Sequence, residues 1–518
     1  MSAGPNASPS FLHGSVRTLA VGTVLSFGGE ILRVGVNYIF GIIVARVLGV
    51  EDYGVFFLGF TLFNLLSLFS YSAIEDALMR FLGIYARDET MRHARGVIRF
   101  GLLSAVAMGI LFGLATFFCA DTLALKVFRK PELGAVLRCF SPAIPLFALM
   151  ATAVAGIRGF RVVKPYVLVR KILLPVGGAA LGCAALAAGG GTVGLALAYA
   201  AAAAVCSLVA VHLLLSFLRK LEGEGGALTE ARRFCSFVGS AFVVNLLLFL
   251  FMMSDMGIVG IMRPSEDLGV YVAAKKTVQM LTFLLLSLNA IFAPVASHLH
   301  SGDEREKLGH AFKTTARWML TCSLPIFLLM VWFAGELLGL FGPEFVRGRA
   351  SLIILAAGYM AHVGVGSTGY LLMMTGHQKL MVINSVVIIL TATALTVGLV
   401  GLYGPAGAAA ANAGILALAN LVALVQIFVL LRLTPWSRAY AGVLAAGAGM
   451  AAALWLSGHY LPAGGVAVTA LRAAIGCAVF GGLVLVIGLD GNERRIIGEL
   501  RRKLSGREKA VKEEVRGT

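Results

Sequence analysis

A chain of 518 residues that is 59% hydrophobic and 13% charged, with a mean hydropathy of +0.89, cannot keep its surface wet; a soluble protein carries about 25% charged residues. Its formal charge of +17 does not mark a nucleic-acid binder, because the cations lie in alternate connections between apolar runs and form no basic domain. Apolar runs of roughly 20 residues recur along the chain, each long enough to cross ~30 Å of hydrocarbon as a helix.

Taken in order, residues 1–14 are polar and small, and read as a disordered cytoplasmic tail. The apolar runs then predict about fourteen transmembrane helices. Their predicted spans are 19–44, 54–79, 97–119, 135–157, 166–189, 192–217, 236–262, 270–297, 315–340, 350–374, 380–402, 405–431, 439–460 and 467–489. The expected class is an all-α polytopic membrane protein. Residues 15–220 hold helices one to six, and 221–235 form a cytoplasmic linker. Residues 236–435 hold helices seven to twelve, and 436–489 hold two further helices. The tail, 490–518, is basic and amphipathic: Ile496, Ile497, Leu500 and Leu504 share a face amid arginines, a pattern that suits an anionic leaflet or a solvated tail equally.

The chain repeats itself. Glu51-Asp52-Tyr53-Gly54-Val55-Phe56 turns between two apolar segments, and Glu266-Asp267-Leu268-Gly269-Val270-Tyr271 does the same 215 residues later. Asn64 falls on Gln279 and Ser67 on Thr282 at that offset. Gly156–Arg161 matches Met373–Gln378, and Gly191–Ala200 matches Gly404–Ala413, at offsets of 217 and 213. Two six-helix lobes, the same way up, would be related by a pseudo-two-fold along the membrane normal. Of 43 Lys and Arg residues, 31 fall in one set of connections and nine in the other, which puts both termini in the cytoplasm. The three left over are Arg33, Lys275 and Lys276, inside helices.

Other polar groups also sit where lipid should be. Helix one carries Glu30, Arg33 and Asn37 on one face; helix two carries Asn64, Ser67, Tyr71 and Glu75. Asp255 lies late in helix seven, and helix eight carries Lys275, Gln279, Thr282 and Asn289 with Lys276 beside them. An uncompensated charge at mid-membrane costs ~3 kcal/mol or more. These side chains therefore face protein or a hydrated cavity. A net cationic cavity between the lobes would meet an anionic substrate; alternatively, Glu30–Arg33 and Asp255–Lys275 are ion pairs that lock helices. Arg46 and Arg80 lie near helix ends, where they can snorkel.

Several chemistries are missing. No GxxxxGK[ST] loop is present for ATP, and no HExxH or His/Cys cluster for a metal. Two GxGxxG strings, at Gly189/Gly191/Gly194 and Gly364/Gly366/Gly369, follow no strand and read as packing or hinge glycines. Seven cysteines form no CxxC pair. The predicted extracytoplasmic loops are too short to house a glycosyltransferase or polymerase active site, so an enzyme is not expected.

Ala45–Gly54, "ARVLGVEDYG", resembles the motif that ends the first helix of polysaccharide flippases, the Wzx-type members of the multidrug/oligosaccharidyl-lipid/polysaccharide (MOP) exporter superfamily. Arg46, Gly49, Tyr53 and Gly54 carry that likeness, and "ALMRFL" around Arg80 is similar to the same family near helix two. Asp255 followed by Gly269 and Tyr271 resembles the second-lobe signature. The resemblance covers about residues 15–435 and implies an alternating-access transporter in the cytoplasmic (inner) membrane. Its substrate would be a polyprenyl-diphosphate-linked oligosaccharide, its partners membrane lipids and a polysaccharide polymerase or other glycan-assembly proteins. No cofactor is implied; H⁺ or Na⁺ coupling is left open, with Glu30, Glu75 and Asp255 the candidate carriers. Helices beyond the usual twelve are similar to those of peptidoglycan-precursor (lipid II) flippases or of longer polysaccharide exporters. A cation-coupled multidrug exporter of the same superfamily would call for an acidic cavity instead.

Overall fold

The computed structural model describes residues 9–85, 91–160, 162–219, 231–302, 304–461 and 465–488. Residues 1–8 of the predicted N-terminal tail, most of the predicted inter-lobe linker and the predicted basic tail, 490–518, lie outside them; residues 9–14, expected to be disordered, are helical as the start of α1. Every regular element among the described residues is helical. Ten stretches are long and apolar enough to cross a membrane. Two of them, of 61 and 49 residues, are interrupted by a glycine.

The first interruption explains the motif. α1 (Pro9–Tyr85) breaks at Gly49, where φ is 79° and ψ 178°. The sequence placed the turn at Glu51–Phe56. The chain turns earlier, at the glycine, so Glu51 and Asp52 fall in the first turn of the second arm, where free N–H groups favour carboxylates. The second half makes the same break with a different residue. α8 (Ala231–Met262) and α9 (Ser265–Ser301) part at Arg263-Pro264, and Glu266 and Asp267 occupy the first turn of α9. Pro264 stands 215 residues after Gly49 and stops the helix by withholding its N–H.

Between these lie α2 (Met91–Thr122), α3 (Glu132–Phe140), α4 (Ala143–Arg158), the single turn α5 (Lys164–Tyr166), α6 (Leu174–Ala187) and α7 (Gly191–Arg219). A π-turn, Val167–Leu173, leads into α6. Pro175, at the head of α6, has no N–H to return to Lys171, which accounts for the wider register just before it. After α9 come α10 (Arg305–Trp332), α11 (Ala334–Gly339), a 3₁₀ turn (Pro343–Gly348), α12 (Arg349–Gly364), α13 (Thr368–Met374), α14 (Gln378–Leu431), α15 (Arg438–Tyr460) and α16 (Val466–Leu483). Gly191 opens α7 at φ +56°, and Gly404 breaks α14 at φ +57°. They are matched positions of the repeat, and the matching backbone supports the alignment.

The chain divides into two compact units. One takes residues up to Phe283 with Ala334–Gly358 and Gln378–Ala419. Its core is built on α4, buried along most of its length because Ala148, Ala151, Ala155 and Gly156 let α2 and α7 approach closely. A column of rings adds to it: Phe63 stacks on Phe140 at 5.1 Å, and Tyr199 meets Phe60 at 5.1 Å and Phe63 at 5.5 Å. The other unit takes Leu284–Phe333, Tyr359–His377 and the chain from Asn420. In it α15 packs on α10 and α16. The gap between α12 and α13 is held by the Tyr440 hydroxyl, which donates to the Gly364 carbonyl at 2.5 Å. Three of the divisions between the units fall inside α9, α12 and α14 and two between elements, before α11 and before α14; none falls at the start of the repeat.

Within the first unit the starts of the two matched helices cross. A Cβ on Gly54 would run into the Ser265 carbonyl, and a Cβ on Gly269 would run into the Val50 carbonyl. Ser265 and Val50 are themselves 215 apart. Glycine is required at both places because each helix lies directly on the other's backbone.

Candidate functional site

The first arm of α1 presents Glu30 and Arg33 one turn apart. Arg33 donates Nε to Glu30 Oε1 at 3.2 Å, and its Nη2 closes on the same oxygen. Lys171, from the π-turn before α6, pairs with Glu30 Oε2 at 3.3 Å and donates to the Ser26 carbonyl at 3.1 Å. On the second arm, Glu75 Oε2 accepts from Arg170 Nη1 at 3.0 Å, and its Oε1 lies 3.5 Å from Arg158 Nη1. Arg170 also donates to the Tyr71 hydroxyl at 3.1 Å. Tyr166 sits amid these cations: Arg158 stands 4.5 Å from its ring, Lys171 5.6 Å and Arg170 5.7 Å.

The cluster holds four cations, Arg33, Arg158, Arg170 and Lys171, against two carboxylates, Glu30 and Glu75. Arg170 and Lys171 are mostly covered, whereas the Arg33 and Arg158 side chains keep 40% and 36% exposure. The excess of positive charge is therefore partly presented and partly stored. By sequence, Arg158, Arg170 and Lys171 fall among the connection cations. The π-turn carries the last two into the helical body. The one signal for this was the pair Pro165 and Pro175 framing the stretch.

Asp255 and Lys275 form a separate, sealed pair, each side chain 4% exposed. Lys275 Nζ lies 2.7 Å from both Asp255 oxygens. Asp255 also accepts from the Tyr271 hydroxyl at 2.5 Å, the Asn412 amide at 3.0 Å and the Met256 N–H at 2.8 Å. In this state the pair joins α8, α9 and α14, the locking role that the sequence left open as an alternative. Asn412, which completes it, was not singled out in the sequence.

A family model described as "Polysaccharide biosynthesis protein" matches residues 43–345. The chain belongs to the polysaccharide biosynthesis protein family. No curated protein sequence matches it. Its fold is similar to that of the lipid II flippase MurJ in an inward closed conformation, with 13% identity over 90% of this chain and 98% of that one and a TM-score of 0.69. It is also similar to an inward-facing multidrug resistance MATE family transporter of the MOP superfamily, at 15% identity, 79% and 98% coverage and a TM-score of 0.63. A MOP superfamily transporter from Pyrococcus furiosus, whose binding pocket is of reverse polarity, matches at 18% identity, 80% and 94% coverage and a TM-score of 0.57. At these identities the likeness is one of fold, and the fold is that of the MOP exporters.

The motif residues Arg46 and Tyr53 tie the first break of α1 to the stretch from the end of α11 to the 3₁₀ turn. Arg46, exposed near the end of the first arm of α1, donates Nε to the Leu340 carbonyl and Nη2 to the Gly339 carbonyl, both at 2.7 Å, capping the end of α11. Tyr53 is fully buried among Phe57, Phe341 and Phe345, and its hydroxyl has no hydrogen-bond partner among the described residues. Lys130 donates to the Arg263 carbonyl at 2.9 Å. Burial holds its ammonium below the usual lysine range, against the pull of Glu132 and Glu51. Lys276 rests 3.6 Å from the centre of the Phe57 ring and has no carboxylate partner among the described residues.

Other candidates turn to their own helices or outward. The Asn64 amide donates to the Phe60 carbonyl, and the Thr282 hydroxyl to the Gln279 carbonyl, each at 2.7 Å. Gln279 is exposed and Asn37 half-buried. Arg80 is exposed, 4.7 Å from the Phe237 ring. Among the described residues, no group of three His, Cys, Asp or Glu side chains could hold a metal ion.

Proposed function

We propose that this protein is a flippase, carrying a polyprenyl-diphosphate-linked oligosaccharide across the cytoplasmic membrane by alternating access for cell-surface polysaccharide synthesis. The observation that carries the reading is the uneven charge of the Glu30–Arg33–Lys171 and Glu75–Arg158–Arg170 cluster. Two carboxylates cannot neutralise four cations. A diphosphate diester brings two negative charges, which match the excess, and guanidinium forks suit phosphate oxygens. Arg33 and Arg158 are the cations with surface left to meet it. Lys276, without a counterion among the described residues, is a further contact for an anion.

The driving force follows from the same charges. An anionic headgroup leaving a negative-inside cell gains ~2.3 kcal/mol per charge per 100 mV. Each carboxylate that could carry H⁺ or Na⁺ already faces an internal cation: Glu30 has Arg33 and Lys171, Glu75 has Arg158 and Arg170, and Asp255 has Lys275. The reading therefore leans on voltage and assigns no coupling ion.

A peptidoglycan-precursor flippase is the second reading. It would use the same diphosphate contacts, and the MurJ likeness covers 90% of this chain against 79% for the MATE transporter. A cation-coupled drug exporter is disfavoured by the cationic cluster. Depletion of the protein, followed by mass spectrometry of the polyprenyl-linked intermediates, tests the reading. The expected result is accumulation of one lipid-linked oligosaccharide inside the cell, with the glycan separating the two flippase readings. Full complementation by the Arg33→Gln/Arg158→Gln variant would refute both.

A further inference from the structure

The second unit carries a basic pocket that the transport reading does not use. A cavity of about 420 Å³ opens between the start of α10 and the chain that leaves α14. Arg305, His310, Lys313 and Arg432 line it, with Glu306 the one acidic wall residue. Three permanent cations thus face a single carboxylate. Arg305 is fixed in place by donating to the Leu431 carbonyl, through Nε at 3.0 Å and Nη2 at 2.5 Å. The floor is tight: α10 meets the α14 exit at Gly309, where a Cβ would stand 3.0 Å from Leu433. The cavity volume falls in the range of sites that hold small organic ligands.

A second observation says where the pocket lies. Phe428, Val429 and Leu430, the residues just before it, are 53%, 64% and 43% exposed at the end of an apolar helix. Trp436, four residues after Arg432, is 52% exposed, and Trp318, five residues after Lys313, is 47% exposed. Exposed apolar residues giving way within one or two turns to cations and exposed tryptophans is the composition met at the edge of a bilayer, where rings sit at headgroup depth. The pocket therefore opens where phosphates of lipids are dense.

We propose that this pocket binds the phosphate of an anionic phospholipid headgroup, with Arg432 and Lys313 as its main contacts. Arg305 shapes the pocket through its bonds to the Leu431 carbonyl. The site is separate from the Arg33–Arg158 cluster and stands whether or not the chain moves a lipid-linked sugar.

The test uses the full chain in nanodiscs of mixed phosphatidylglycerol and phosphatidylcholine, with retained lipids identified by native mass spectrometry. The wild type should keep phosphatidylglycerol in preference to phosphatidylcholine. Lys313→Gln/Arg432→Gln should lose that preference by at least about tenfold. Thr434→Glu, which leaves both cations and adds a carboxylate to the wall, should lose it likewise. Lys307→Gln, an exposed cation paired with Glu304 and absent from the pocket lining, should keep it. Equal loss in Lys307→Gln would reduce the effect to diffuse surface charge and overturn the proposal. So would retention in the double variant and Thr434→Glu. Displacement of the lipid by millimolar inorganic phosphate would overturn the lipid assignment in favour of a soluble anion.

Discussion

Gly54 and Gly269 are fitted to each other's helices by an exchanged contact: the first lies on the Ser265 carbonyl and the second on the Val50 carbonyl. Neither position has room for a methyl group. Gly54→Ala or Gly269→Ala should therefore force the two helix starts apart, at a cost of about 1–3 kcal/mol each. Thermal unfolding in one detergent measures the cost. Combining the two should cost less than the sum, because the first separation already makes room for the second. Strict additivity would show that the two contacts are independent.

Asp255 and Lys275 invite a double-mutant cycle. Lys275→Met alone leaves a buried carboxylate with only neutral donors and should destabilise the fold by about 3–5 kcal/mol. Asp255→Asn with Lys275→Met removes both charges and should recover most of that loss. A double variant as unstable as the single one would mean that the ammonium does more than balance Asp255.

Glu75→Gln removes the counterion shared by Arg158 and Arg170. Arg170 is mostly covered, so stability should fall by about 2 kcal/mol. The released guanidinium groups should also hold an anionic substrate longer. Purified Glu75→Gln protein is expected to carry more co-purifying polyprenyl-linked glycan than wild type while complementing a depleted strain poorly. Less bound glycan with poor complementation would contradict the assignment.

Arg46 and Arg80 looked alike in the sequence, and the structure separates them. Arg46 caps the last carbonyls of α11, whereas Arg80 meets a single ring. Arg46→Gln should cost about 1–2 kcal/mol, and Arg80→Gln about 0.5 kcal/mol or less. Equal shifts in melting temperature would refute the distinction.

The membrane class was legible because long apolar runs recur, and the matched pair Gly54 and Gly269 because backbones touch there. The position of the first break was less so. Acidic and turn-forming residues at 51–54 give a stronger local turn signal than Gly49, whose backbone at φ 79° and ψ 178° suits glycine. The candidate cluster was half legible. Glu30, Arg33, Tyr71 and Glu75 stood out because helices one and two keep a regular period. Arg170 and Lys171 did not, because a π-turn changes the register that periodicity assumes. Asp255 with Lys275 was visible as a pair. Its third anchor, Asn412, lies 157 residues from Asp255 and carries no local signal.

The offset of 215 also shows what joining both halves in one polypeptide permits. In a dimer of identical six-helix chains, the buried aspartate and lysine would occur twice, once on each side of the axis. Here the places equivalent to Asp255 and Lys275 are Phe40 and Phe60. A fused chain can keep its symmetric seam at the two glycines and still give one side an ion pair and the other side rings, an asymmetry closed to any homodimer.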